Sequence, residues 1–75
     1  MSKVQVTYTS DSGEYKSFLL DNCAFNQYNT PKDLIKARLF PEFKTRFISV
    51  NIARGVVNFH IVVNREYVAG NLEQV

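Results

Sequence analysis

From Arg46 to Val63 the chain alternates apolar and polar positions with a period of two, in two runs broken by a glycine. Ile48, Val50 and Ile52 alternate with Phe47, Ser49 and Asn51. After Arg54-Gly55, Val57, Phe59, Ile61 and Val63 are spaced among Asn58, His60 and Asn64. This pattern predicts two strands folded into a hairpin, the element around which the rest is arranged. Val4, Val6 and Tyr8, alternating with Gln5, Thr7 and Thr9, predict a first half-buried strand. Ser10-Asp11-Ser12-Gly13 supplies turn chemistry, and Glu14 to Leu20 reads as the returning strand. In that strand Tyr15 and Leu19 face one way and Phe18 and Leu20 the other, as suits a strand near an edge.

Asp21 to Asn29 reads as a polar loop. Thr30-Pro31-Lys32-Asp33 then marks a helix start: threonine caps, proline suits the first helical position, and an acid stands three residues after the cap. The helix runs to Leu39 or Phe40, because Pro41 disfavours an α conformation just before it. At about 100° per residue, Leu34, Ile35, Ala37 and Leu39 share one side, with Arg38 near its middle. That conflict has two readings: Arg38 covers the core edge and meets terminal carbonyls, or it binds a partner's carboxylate or phosphate. Phe43 is expected to plug the core. Asn64 to Ala69 reads as a continuation of the fourth strand through a bulge, with a separate fifth strand as the alternative. Residues 70–75 read as a frayed tail.

The expected architecture is α+β: a single antiparallel sheet of four, or five, strands with one helix on one face, in the order β-β-α-β-β. Val4, Val6, Tyr8, Ile48, Val50, Ile52, Val57, Phe59, Ile61 and Val63 are expected on the helix side. The other face is expected to carry Gln5, Thr7, Thr9, Ser49, Asn51, Asn58 and His60, with Phe47, Val56 and Val62 among them.

Length and chemistry narrow the function. Seventy-five residues give room for one domain over 1–75 and a marginal core, for which a partner subunit would compensate. One cysteine, Cys23, permits no internal disulfide, and one histidine, His60, leaves no zinc set within one chain. No metal or cofactor is expected. There is no run of 18 apolar residues, no signal-peptide core in residues 1–20 and no glycosylation sequon, so a cytoplasmic location is expected. Asp21, Cys23 and His60 are the sole acid–thiol–imidazole set, with no pattern that would bring them together. The carboxylates are scattered and Gly13, Gly55 and Gly70 are isolated, which argues against general acid–base and phosphate-loop enzymes. The expectation is a protein without enzymatic activity.

The net charge of +2 is uneven: residues 32–54 hold six basic and two acidic side chains, the remainder three basic and five acidic. Lys32, Lys36, Arg38, Lys44, Arg46 and Arg54 are therefore the candidates for binding an anionic target, RNA or an acidic protein surface. Arg54-Gly55-Val56-Val57 opens like the basic-glycine strand motif of RNA-recognition domains, but valines stand where stacking aromatics belong, and no family follows from it. The alternative is a protein–protein module, a homodimeric inhibitor or adaptor, using the open sheet face or an edge. Phe47, Asn58 and His60 are its candidate interface, with His60 able to tune association by protonation. Both readings describe a small regulator or inhibitor that acts by occupying a partner. Proteins of this size and style are common among accessory proteins of phages and mobile elements.

Overall fold

The computed structural model of the chain describes residues 2–75. Five strands form one sheet: β1 (Lys3–Ser10), β2 (Tyr15–Asp21), β3 (Thr45–Ala53), β4 (Val56–Val63) and β5 (Glu66–Gln74). Their order across the sheet is β2-β1-β5-β4-β3, every neighbouring pair antiparallel. The class is α+β, dominated by sheet. The chain order is β-β-α-β-β-β, which corrects the expected β-β-α-β-β. Asn64-Arg65 is a tight turn, not a bulge in a longer fourth strand. The expected frayed tail at 70–75 is likewise corrected: residues 70–74 belong to β5, the central strand, and Leu72 is fully buried.

Two hairpin turns set the register of β3, β4 and β5. Each places both central residues at positive φ: Arg54 (55°) with Gly55 (78°), and Asn64 (50°) with Arg65 (71°). Paired left-handed residues give the turn twist that matches twisted strands. Asn64 also ties its turn to the start of β3. Its N–H donates to the Lys44 carbonyl at 3.0 Å, and its Oδ1 accepts from the Lys44 N–H at 3.3 Å.

The chain crosses from β2 at one edge to β3 at the other through a short helix. Thr30 caps it as expected, its Oγ1 accepting from the Asp33 N–H at 3.2 Å. The α-helical part, α1 (Pro31–Leu34), widens at once into a π turn over Ile35–Leu39, closed by the Phe40 N–H donating to the Ile35 carbonyl at 3.2 Å. This widening resolves the conflict at Arg38. In an α-helix Leu34 would share its side with Arg38, four residues on. With a five-residue turn, Leu39 and Phe40 follow Leu34 and Ile35 inward, while Ala37 and Arg38 are exposed. Ala37 is thus outside the apolar side assigned to it.

The core lies between this crossover and one sheet face. Val4, Val6, Val57, Phe59, Ile61, Val63, Val68 and Leu72 meet Leu34, Ile35, Phe40 and Cys23. One irregularity alters the expected faces. The β3–β4 register shifts between Phe47 and Ser49, leaving Ile48 as the extra residue. Phe47 therefore pairs with Ile61 on the helix side, with the Lys32 Nζ 5.7 Å from its ring centre. Ile48, expected inside, is exposed. Phe43 is not a core plug either: it is 47% exposed and sits edge-on to Phe40, which is buried in its place. Gly70 lies between Tyr8 and Phe59 in the central strands, with no room for a side chain.

Candidate functional site

The sheet face away from the helix is uncovered, and its register sorts it into rows. Arg46, Val62 and Tyr67 form one row, Ser49, His60, Ala69, Thr9 and Tyr15 the next. A third row carries Asn51, Asn58, Asn71, Thr7 and Ser17. Asn58 and His60 are on this open face as expected. Phe47 is not, so the candidate interface loses that residue.

At the end of the sheet where β4 turns into β5, the face dips into an open concavity of about 590 Å³. Lys44, Thr45, Arg46, Val62, Asn64, Arg65 and Tyr67 line it. Each reaches it for a definable reason. Lys44 is fixed by the two hydrogen bonds from Asn64, Arg46 points outward opposite Val62, and Arg65 occupies the turn itself. Tyr67 is 47% exposed and follows Val62 across the row, its ring 5.6 Å from that of His60 and tilted by 43°.

The electrostatics are one-sided. No carboxylate lines this cup, which has three cations. Among the described residues the ion pairs are Lys3–Asp21 (3.7 Å) and Lys16–Glu14 (3.2 Å), both at the β2 end of the sheet. The two acids near the β4–β5 turn have other partners. Glu66 Oε1 accepts from the Ser12 N–H, and Asp11 Oδ2 accepts from the Tyr67 N–H on the β1 side. Both carboxylates stay charged beside the cup, but Lys44, Arg46 and Arg65 make no ion pair among the described residues and are solvent-accessible, as a phosphate or carboxylate site requires.

Arg65 stands at a strained position. At φ +71° it occupies the left-handed region, with no glycine in its turn. Replacing it with glycine is expected to raise stability by about 1 kcal/mol, the usual relief of such strain, measured as the shift in urea midpoint. Any binding that uses its guanidinium would fall at the same time.

The six basic residues named from the sequence do not form one surface. Lys44 and Arg46 share the cup. Arg54 lies at the opposite end of β4, about 25 Å away by strand rise. Lys32 and Lys36 are on the crossover, exposed, with Lys32 over Phe47. Arg38 is tethered: its guanidinium donates to the Tyr28 hydroxyl at 3.5 Å and to the Asp21 carbonyl at 3.4 Å. The Tyr28 contact holds it still more firmly in its charged form. Arg38 thus meets the carbonyl that ends β2, not one of its own helix. Arg65 and Tyr67 are missing from the sequence candidates because Asn64-Arg65 reads first as a bulge in a continuing fourth strand, which does not bring them to Lys44 and Arg46.

Cys23 is buried in the core on the helix side, and its N–H donates to the Ser2 carbonyl. His60 lies on the opposite face, so the sheet separates thiol from imidazole. Among the described residues no three His, Cys, Asp or Glu side chains gather as a metal site would need, and no helix is long and apolar enough to cross a membrane. No protein-family model matches the chain, and no curated protein or solved structure matches it either.

Proposed function

We propose that this chain is a small binding protein, a regulator or inhibitor without enzymatic activity, whose target is anionic, with RNA or another nucleic acid first. The observation that carries this reading is the gathering of Lys44, Arg46 and Arg65 with exposed Tyr67 around one concavity that no carboxylate lines. Cations that neutralise phosphates, beside an aromatic that can meet a base, are the two elements of a nucleic-acid groove. The cup, not the whole of residues 32–54, is the contact surface in this reading. Lys44 and Arg46 remain its centre, Arg65 joins them, and Lys32, Lys36, Arg38 and Arg54 drop out. A cytoplasmic setting agrees with a lone reduced thiol.

A second reading, a homodimer joined at a sheet edge, is favoured by β2. This edge strand leaves Tyr15 (64%), Leu19 (49%) and Phe18 (37%) exposed. Strand addition there would extend the sheet and cover them.

The two readings separate in one titration. Fluorescence anisotropy of labelled RNA at low salt is expected to show saturable binding. If RNA stays free at low salt, nucleic acid is discarded and protein partners of the edge and open face come first, beginning with the dimer tested by sedimentation equilibrium.

A further inference from the structure

The open face carries more than charge, and its composition discriminates between forms of nucleic acid. Tyr67 presents its ring at the sheet surface in the same row as Arg46, with Val62 between them and the His60 ring against one side. A base laid on Tyr67 would therefore have an apolar floor at Val62 and cations on the flanks. Two residue pairs further along the strands, Asn51, Asn58 and Asn71 stand side by side on three adjacent strands. Their amides make no side-chain hydrogen bond among the described residues, and Asn51 and Asn58 are exposed. An amide offers both donors and an acceptor, which is what the edge of an unpaired base requires.

A duplex cannot lay a base on Tyr67, because its bases are paired and stacked on one another. The asparagines discriminate less, since strands can also bring amides to base edges in a DNA groove. Single strands can splay bases onto an exposed aromatic and turn base edges to neighbouring amides.

We infer that the cup binds single-stranded nucleic acid in preference to duplex. A base stacks on Tyr67, Lys44, Arg46 and Arg65 hold the adjoining phosphates, and the strand continues over Asn51, Asn58 and Asn71. This inference rests on the nucleic-acid reading of the same cup and specifies its ligand. It also separates two kinds of residue: the cations set affinity for any phosphate chain, whereas Tyr67 sets the preference for unpaired bases.

The test uses the intact chain and labelled strands of about 12 nucleotides, within the site sizes of small single-strand binders. RNA and DNA are each offered alone and annealed to a complement. Single strands are expected to bind about tenfold tighter than duplex. Tyr67→Ala should remove most of that preference and leave duplex affinity and salt dependence unchanged, while Tyr67→Phe, which keeps the ring, should retain it. Circular dichroism confirms that both variants are folded. RNA against DNA in the single-strand arm reports whether the sugar is read. Equal affinity for single strand and duplex, unmoved by Tyr67→Ala, would overturn the single-strand inference and leave the anion site standing. Binding of neither form would overturn the nucleic-acid reading itself, and the inference with it.

Discussion

Gly70→Ala is expected to destabilise the fold by about 3 kcal/mol, at the upper end of overpacking effects and a large share of what a core this small supplies. The reason is local. A Cβ built on Gly70 would overlap the Thr7 carbonyl oxygen and stand 2.5 Å from Tyr8 Cβ and 2.7 Å from Tyr8 Cα. These are backbone and near-backbone atoms of β1, so no rotamer change relieves the contact. β5 would have to move away from β1, and β1 is the strand that joins β2 to the sheet. Gly13→Ala is the control. Gly13, unlike Gly70, has positive φ, 84°, and nothing lies within 4 Å of its added Cβ, so its cost is the backbone term alone, about 1 kcal/mol. Urea denaturation followed by circular dichroism measures both. Equal costs at the two sites would mean that β1 and β5 do not approach as closely as the register requires.

The second large effect concerns the cup. Lys44→Ala combined with Arg46→Ala is expected to weaken nucleic-acid binding on the order of a hundredfold at low salt, at about 1.5 kcal/mol for each charge-assisted contact. The loss should be similar for every sequence offered, because phosphate contacts carry no base information. Both side chains are exposed and unpaired, so the variant should keep its fold. Arg54→Ala is the matching control, removing the same kind of charge from the far end of β4. It should leave affinity nearly unchanged. A comparable loss from Arg54→Ala would put the binding surface along the whole basic segment, not in the cup.

The parts of the fold that were legible from the sequence share one property: their signal is local. The hairpin of β3 and β4 shows in its alternation, and the helix start in Thr30-Pro31-Lys32-Asp33. The turn at Asp11 to Gly13 shows in its residue types. β5 was legible only as the alternative, and only for its first half at Glu66 to Ala69, because its inward positions are Glu66, Val68, Gly70, Leu72 and Gln74. Only two of those five are large and apolar, and the central one is a glycine whose missing side chain is made up by Tyr8 from another strand. The polar end is equally deceptive. Gln74 looks like tail sequence, yet its side chain accepts from the Phe25 N–H at 2.8 Å and donates to the Lys3 and Cys23 carbonyls. A residue satisfied by three distant backbone groups has no sequence signature.

Two further misplacements have the same character. The extra residue at Ile48 flips Phe47 inward, and the π turn rotates Arg38 outward. Each is a one-residue phase shift that leaves composition untouched, so a periodic reading passes over it. The candidate site was half legible for the same reason. Lys44 and Arg46 lie two apart in sequence, but Arg65 and Tyr67 reach them only through the register of β4 and β5. Counting charge along the chain grouped residues 32–54, whereas the sheet groups Lys44 and Arg46 with a turn some 20 residues later.

The central claim is that three cations in one cup hold phosphates. The salt dependence of single-strand binding tests it most directly. Anisotropy titrations at several salt concentrations are expected to give a line of log affinity against log salt with a slope of about −2, the value for three neutralised charges on a single strand. That slope should shrink by about one-third with Arg65→Gly, as one of the three contacts is lost. Affinity indifferent to salt, or a slope untouched by loss of Arg65, would contradict it.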